Sequence, residues 1–88
     1  MKKNSFNEIL KCMEEIHDQK NHDYGDSFVK SINEFGEISA MIRVSDKVNR
    51  LKTLMKHKAK VKDESINDTI IDCANYLVMW LDYRKNKQ

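Results

Sequence analysis

An 88-residue chain with no proline, two glycines and 40% hydrophobic residues has room for one domain, 1–88, and at that size only about 60–65% of the unfolded surface is buried, so its core is marginal in isolation. That composition excludes a turn-rich β fold and favours long helices. No run approaches the roughly 18 apolar residues of a membrane span, and the net charge of +2 is too small for the uniformly basic surface that duplex nucleic acid requires.

The expectation is an all-α fold: a small bundle of three long helices and one short one, completed by homo-oligomerisation and located in the cytoplasm. Charge is unevenly placed along it. Residues 41–62 hold eight Lys/Arg against one acid, leaving eight against thirteen elsewhere. A local basic segment beside an acidic remainder suits a small phosphorylated ligand or an acidic protein surface.

Ser5-Phe6-Asn7-Glu8 has the form of a capping box and predicts a first helix over about 5–20. Phe6, Ile9, Leu10, Met13 and Ile16 follow 3.6-residue spacing and are expected to form its buried stripe. A polar stretch then runs from Lys20 through Asn21, His22, Asp23, Tyr24, Gly25 and Asp26 to Ser27 and Phe28. It combines a cation, amide and imidazole groups, carboxylates, a stackable ring and a glycine for which positive φ is cheap. That inventory suits the gripping of a nucleotide. It equally suits a helix end at Gly25 with Asp26 or Ser27 capping the next helix.

Phe28, Ile32 and Phe35 mark a short helix over 27–35, and Gly36 allows a bend. Ile38, Met41, Val44, Val48, Leu51 and Met55 predict a bundle seam on a third helix over 37–57. Residues 58–62, alternately basic and small apolar, read as a solvated loop. Ser65-Ile66-Asn67-Asp68 is a second box-like start for a last helix over 65–84. Its apolar residues cover more than one stripe, so it is expected to pack on two neighbours, one of them another subunit. Cys12 and Cys73 lack the spacing of a metal or redox motif and read as buried free thiols.

Arg43, Lys47 and Arg50 stand at i, i+4 and i+7 of the third helix, so three cations project from one face. Guanidinium forks and an ammonium fit phosphate oxygens, although Asp46, one turn from both arginines, could pair with them. Asp68, Asp72 and Asn75 form a matching stripe on the last helix, followed by Tyr76. Buried carboxylates need partners, which could be the cationic row, as an interhelical ladder, or Mg²⁺. Glu15 could join Asp68 and Asp72 in an acidic metal cluster.

Taken together, Lys20-Asn21-His22-Asp23-Tyr24-Gly25 with Ser27-Phe28, Arg43 with Asp46-Lys47 and Arg50-Leu51, and Asp63-Glu64-Ser65-Ile66 with Asp68, Asp72, Asn75 and Tyr76 resemble the family called nucleotide modification associated domain 1, small proteins common in bacteriophages and their hosts. The resemblance implies a link to nucleotides and, for a phage-encoded chain, residence in the host cytoplasm. It suggests a small-nucleotide-binding protein in which Tyr24 stacks on the base, Arg43, Lys47 and Arg50 take phosphates, and Lys20, Asn21, His22, Asp23 and Asn75 complete the site, with no cofactor or metal. Such a protein would sequester a nucleotide immune signal or handle modified nucleotides during phage replication.

Asp68-Thr69-Ile70-Ile71-Asp72 is also similar to the second acidic motif of the all-α nucleotide pyrophosphatases of the MazG and dCTPase kind, with Asp for the usual Glu. That likeness implies an alternative, an Mg²⁺-dependent nucleotide pyrophosphohydrolase using Asp68, Asp72 and Glu15. A third reading is a protein-interaction module with no small-molecule site. The nucleotide-binding expectation requires Tyr24 and the cationic row to converge on one concave surface.

Overall fold

A computed structural model describes residues 5–24, 26–56 and 63–86, and four α-helices account for nearly all of them: α1 (Ser5–Tyr24), α2 (Ser27–Phe35), α3 (Ile38–Lys56) and α4 (Asp63–Asn86). The described residues contain no strand, in line with a composition poor in turn formers. The expected loop over 58–62 and the glycine at 25 lie outside the described residues.

The α2–α3 corner turns on Gly36, at φ 89° and ψ 177°. Its N–H donates to the carbonyl of Ile32 at 2.7 Å, closing the end of α2. Asp26 occupies the N-cap position of α2, with its carbonyl accepting from the Lys30 N–H at 2.9 Å. Its side chain makes no capping bond.

Phe28 and Ile32, one turn apart on α2, and Ala40 on α3 are the buried core, and Tyr76, Met79, Trp80 and Tyr83 of α4 pack against them. The small side chain of Ala40, fully buried, suits close helix approach, and α3 and α4 share the most extensive interface of the fold. A polar brace ties the α2–α3 corner to the far end of α4. Trp80 Nε1 donates to Glu37 Oε1 at 2.7 Å, Arg84 donates to the same oxygen at 2.6 Å, and Tyr83 donates to Asn33 Oδ1 at 3.1 Å. The two donors from Trp80 and Arg84, with the guanidinium charge, hold the Glu37 carboxyl below its ordinary value.

Several expectations are corrected here. The first helix continues through Lys20, Asn21, His22 and Asp23 to Tyr24, so most of the stretch read as a turn is helix; a run of polar side chains is compatible with a helix when the face it covers is wet. The first part of the stripe expected to be buried on α1 is solvent-facing, with Phe6 at 70%, Ile9 at 50% and Leu10 at 45% exposure, while Met13 and Ile16 are half-buried; α1 rests mainly on α4.

On α3 the seam is rotated. Ala40, Arg43, Val44, Lys47, Leu51 and Leu54 turn inward or lie half-buried, while Ile38, Met41, Val48 and Met55 are exposed. Apolar residues surround much of this helix, so periodicity supports two faces and packing selects one. α4 begins at Asp63 and runs to Asn86, with Arg84 bracing its last turns; the side chain of Ser65, expected in a capping box, lies outside the described residues. Cys12 is exposed and Cys73 half-buried, both as free thiols, so the expected burial fails for Cys12, which shares the unpartnered outer part of α1.

Candidate functional site

His17, Lys20 and Asn21 stand at i, i+3 and i+4 on α1, and Asp72, Asn75, Tyr76, Met79 and Asp82 stand at i, +3, +4, +7 and +10 on α4. Both sets follow the helical repeat, so each forms one face. Those faces meet across a cleft of about 600 Å³, within the size range of small-molecule sites. The start of α2, Asp26 to Val29, and Arg43 of α3 close its walls. An adjoining groove of about 480 Å³ continues along α1 and α4 and shares His17, Asn75, Met79 and Asp82 with the cleft. Leu10, Met13 and Val78 make that extension largely apolar.

Asp72 is the electrostatic centre. Lys20 Nζ donates to its Oδ1 at 2.7 Å, and Lys47 Nζ lies 3.6 Å from its Oδ2. One carboxylate of 21% exposure thus gathers ammonium groups from α1 and α3 onto α4. The matching cationic and acidic stripes do not zip into a ladder. They make a single three-charge knot, because Asp68 is exposed and Arg43 turns to the next aromatic.

Tyr76 supplies that aromatic. Its ring stacks on Phe28, with centroids 5.5 Å apart and planes at 25°. The Arg43 guanidinium lies 5.8 Å and the Lys47 ammonium 6.0 Å from the Tyr76 centroid, both within cation–π range. Arg43 also donates to the Tyr76 hydroxyl at 3.4 Å. Nearby, Asn75 Nδ2 donates to the Met13 carbonyl at 3.2 Å, stitching the middle of α1 to α4.

Of the residues singled out from sequence, Lys20, Asn21, Arg43 and Asn75 line the cleft, together with Asp72. Lys47 reaches it through Asp72 and Tyr76. His22 and Arg50 are exposed and outside its lining. The side chains of Asp23 and Tyr24 lie outside the described residues, and with them the stacking expected of Tyr24. Glu15 and Asp68, the acids invoked for Mg²⁺, are exposed and outside the lining, and both oxygens of Asp72 face lysines. Among the described residues no group of three or more His, Cys, Asp or Glu side chains is placed to hold a metal ion.

Sequence reasoning passed over His17 and Asp82 as site residues and took Asp26 and Phe28 only as members of the polar stretch. The signal was present for the first two: extending the helical face from Lys20 back by three reaches His17, and extending it from Asp72 forward by ten reaches Asp82.

The fold and cleft define a small all-α protein with a polar and aromatic crevice between its first and last helices. The chain belongs to the nucleotide modification associated domain 1 family, whose profile matches residues 20–81, more than two thirds of the sequence. The match begins at Lys20, the first member of the charge knot, and so takes in every described cleft residue except His17 and Asp82. No curated protein and no solved structure matches the chain. Among the described residues no helix is long and apolar enough to cross a membrane.

Proposed function

We propose that this protein binds a small nucleotide in the α1–α4 cleft. The observation that carries the reading is the convergence of Lys20, Arg43 and Lys47, from two different helices, around Asp72 and the Tyr76 ring. Arginine offers phosphate a planar fork, and each lysine has three donors, of which an ion pair with Asp72 uses only part. Phe28 and Tyr76 with Val29 give an aromatic and apolar wall for a base, and Asn21, Ser27 and Asn75 supply groups for its edges or for a sugar. The family's name points the same way. If the chain is phage-encoded, binding without turnover would withdraw a nucleotide signal from the host, or hold a nucleotide during phage replication.

Calorimetry against a nucleotide panel tests this. Arg43→Ala is expected to weaken binding at least tenfold while the helical circular dichroism persists, and Arg50→Ala, outside the cleft, to leave it within about twofold. Unchanged affinity in Arg43→Ala would remove the assignment. Recovery of intact nucleotide after denaturing the complex separates binding from pyrophosphohydrolysis.

The same protein is proposed to work as a homo-oligomer. Its accessible surface is 7197 Å², whereas a closed globule of its mass exposes about 5,400 Å². The excess exceeds the roughly 800 Å² per partner that a standard interface buries. Phe6 and Ile9 on α1, with Leu77 and Leu81 on α4, contribute exposed apolar surface suited to a second copy. Light scattering is expected to show a multiple of 10.4 kDa, and a stable 10.4 kDa species would overturn this assembly.

A further inference from the structure

The charges lining the cleft do not add up to a strongly cationic trap. Lys20 and Arg43 face Asp26, Asp72 and Asp82, and Lys47 enters only through its pairing with Asp72. Among the described residues, three cations are thus met by three carboxylates. A site for a terminal polyphosphate needs a surplus of positive charge or a metal to neutralise it. Among the described lining residues, a phosphate beyond the first has no cation outside this set and shares the cleft with fixed negative charge.

We infer that the ligand of this cleft is a nucleotide carrying a single phosphoryl group, as a monoester or a diester, recognised at its other end through hydrogen-bond donors that it gives to carboxylates. This rests on the nucleotide-binding reading above and names the chemical class of its ligand. One phosphoryl group matches the Lys20, Arg43 and Lys47 cluster. Asp26, at the start of α2, and Asp82, nearly three turns along α4 from Asp72, are acceptors with no donor capacity when ionised. They suit exocyclic amino groups or ribose hydroxyls. The apolar groove beyond Asn75 and Met79, walled by Leu10, Met13 and Val78, extends the space for a base on the side of the cleft that holds Asp82. Asp82 borders both cavities, so its charge acts on a ligand in either.

The test is a charge series at constant ionic strength in EDTA: the mono-, di- and triphosphates of adenosine, guanosine and cytidine, with the 3′,5′-cyclic monophosphates, titrated into the full-length protein and into Asp82→Asn and Asp26→Asn. Removing divalent metal keeps the triphosphate charge unmasked. The expected result is that at least one monophosphate or cyclic monophosphate binds tenfold or more tightly than the triphosphate of the same nucleoside, and that Asp82→Asn or Asp26→Asn narrows that ratio at least threefold by improving triphosphate binding. A triphosphate that binds as tightly as its monophosphate, or a ratio untouched in both variants, overturns the inference while leaving nucleotide binding standing. If no member of the panel binds, the nucleotide-binding reading itself fails. Circular dichroism of each variant confirms that the fold is retained.

Discussion

The α2–α3–α4 unit and the helix that precedes it are held by different physics. In the first, Phe28, Ile32 and Ala40 are buried beneath Tyr76, Met79, Trp80 and Tyr83, and the Glu37 brace adds directional bonds at the rim. α1 is fastened by polar ties, Lys20 to Asp72 and Asn75 to the Met13 carbonyl, and leaves Phe6, Ile9 and Leu10 of its apolar stripe open. Burial of apolar area is the larger stabilising term in water, and exposed ion pairs contribute little. The cleft lies on the seam between a firmly packed unit and a loosely attached helix. A ligand or a second subunit that bridges the seam would therefore add order where the isolated chain has least.

The largest effect that would sharpen this contrast comes from Ile32, the one large side chain fully buried among the described residues, at 2% exposure. Ile32→Ala removes buried carbons and leaves a cavity, with an expected loss of about 3 kcal/mol. In so small a domain that is a large fraction of the total. Urea denaturation should show the midpoint fall with the slope unchanged; a loss under about 1 kcal/mol would mean that the α2–α3–α4 packing is not the main support.

Lys20→Ala is expected to act on the other region, and more gently. Lys20 is half exposed, so global stability should change by no more than about 1 kcal/mol, while amide exchange accelerates in α1 relative to α4. Equal acceleration in both helices would erase the proposed division.

The smallest effect is pH-dependent and belongs to the packed unit. Glu37 accepts from Trp80 and from Arg84, which together hold its carboxyl below the ordinary 4.5. Because the folded value is depressed, its stabilising contribution is present above the unfolded value and is lost as pH falls through the folded one. Glu37→Gln should therefore lower the melting temperature slightly at neutral pH, and the gap to the wild type should close on acidification below pH 4.5. Trp80 fluorescence reports the same transition. A gap that stays constant down to the lowest pH would show that the carboxylate charge contributes nothing.

The four helices and the bend at Gly36 were legible in sequence because they rest on local signals: spacing of apolar residues, box-like helix starts and a glycine. The choice of buried face was not. Met41, Val48 and Met55 repeat as regularly as Ala40, Val44 and Leu51, and only the approach of α4 onto the small Ala40 decides between them. Lys20 and Asn21 could be named early because they open a polar, glycine-bearing stretch, and Arg43 and Asn75 because polar side chains on apolar helices stand out. Phe28 and Tyr76 were harder, since an aromatic at helical spacing signals core as readily as it signals a site. Asp82 looked like ordinary wet surface until the helical face through Asp72 was extended to it.

Gly36 carries one more consequence. A Cβ built there meets nothing within 4 Å, so the position has room for a methyl group, yet its φ of 89° with ψ of 177° falls in a region open essentially to glycine alone. Randomising codon 36 and selecting for folded protein should thus return glycine almost exclusively, with alanine rejected despite the empty space around it. The corner is guarded by torsion and not by crowding.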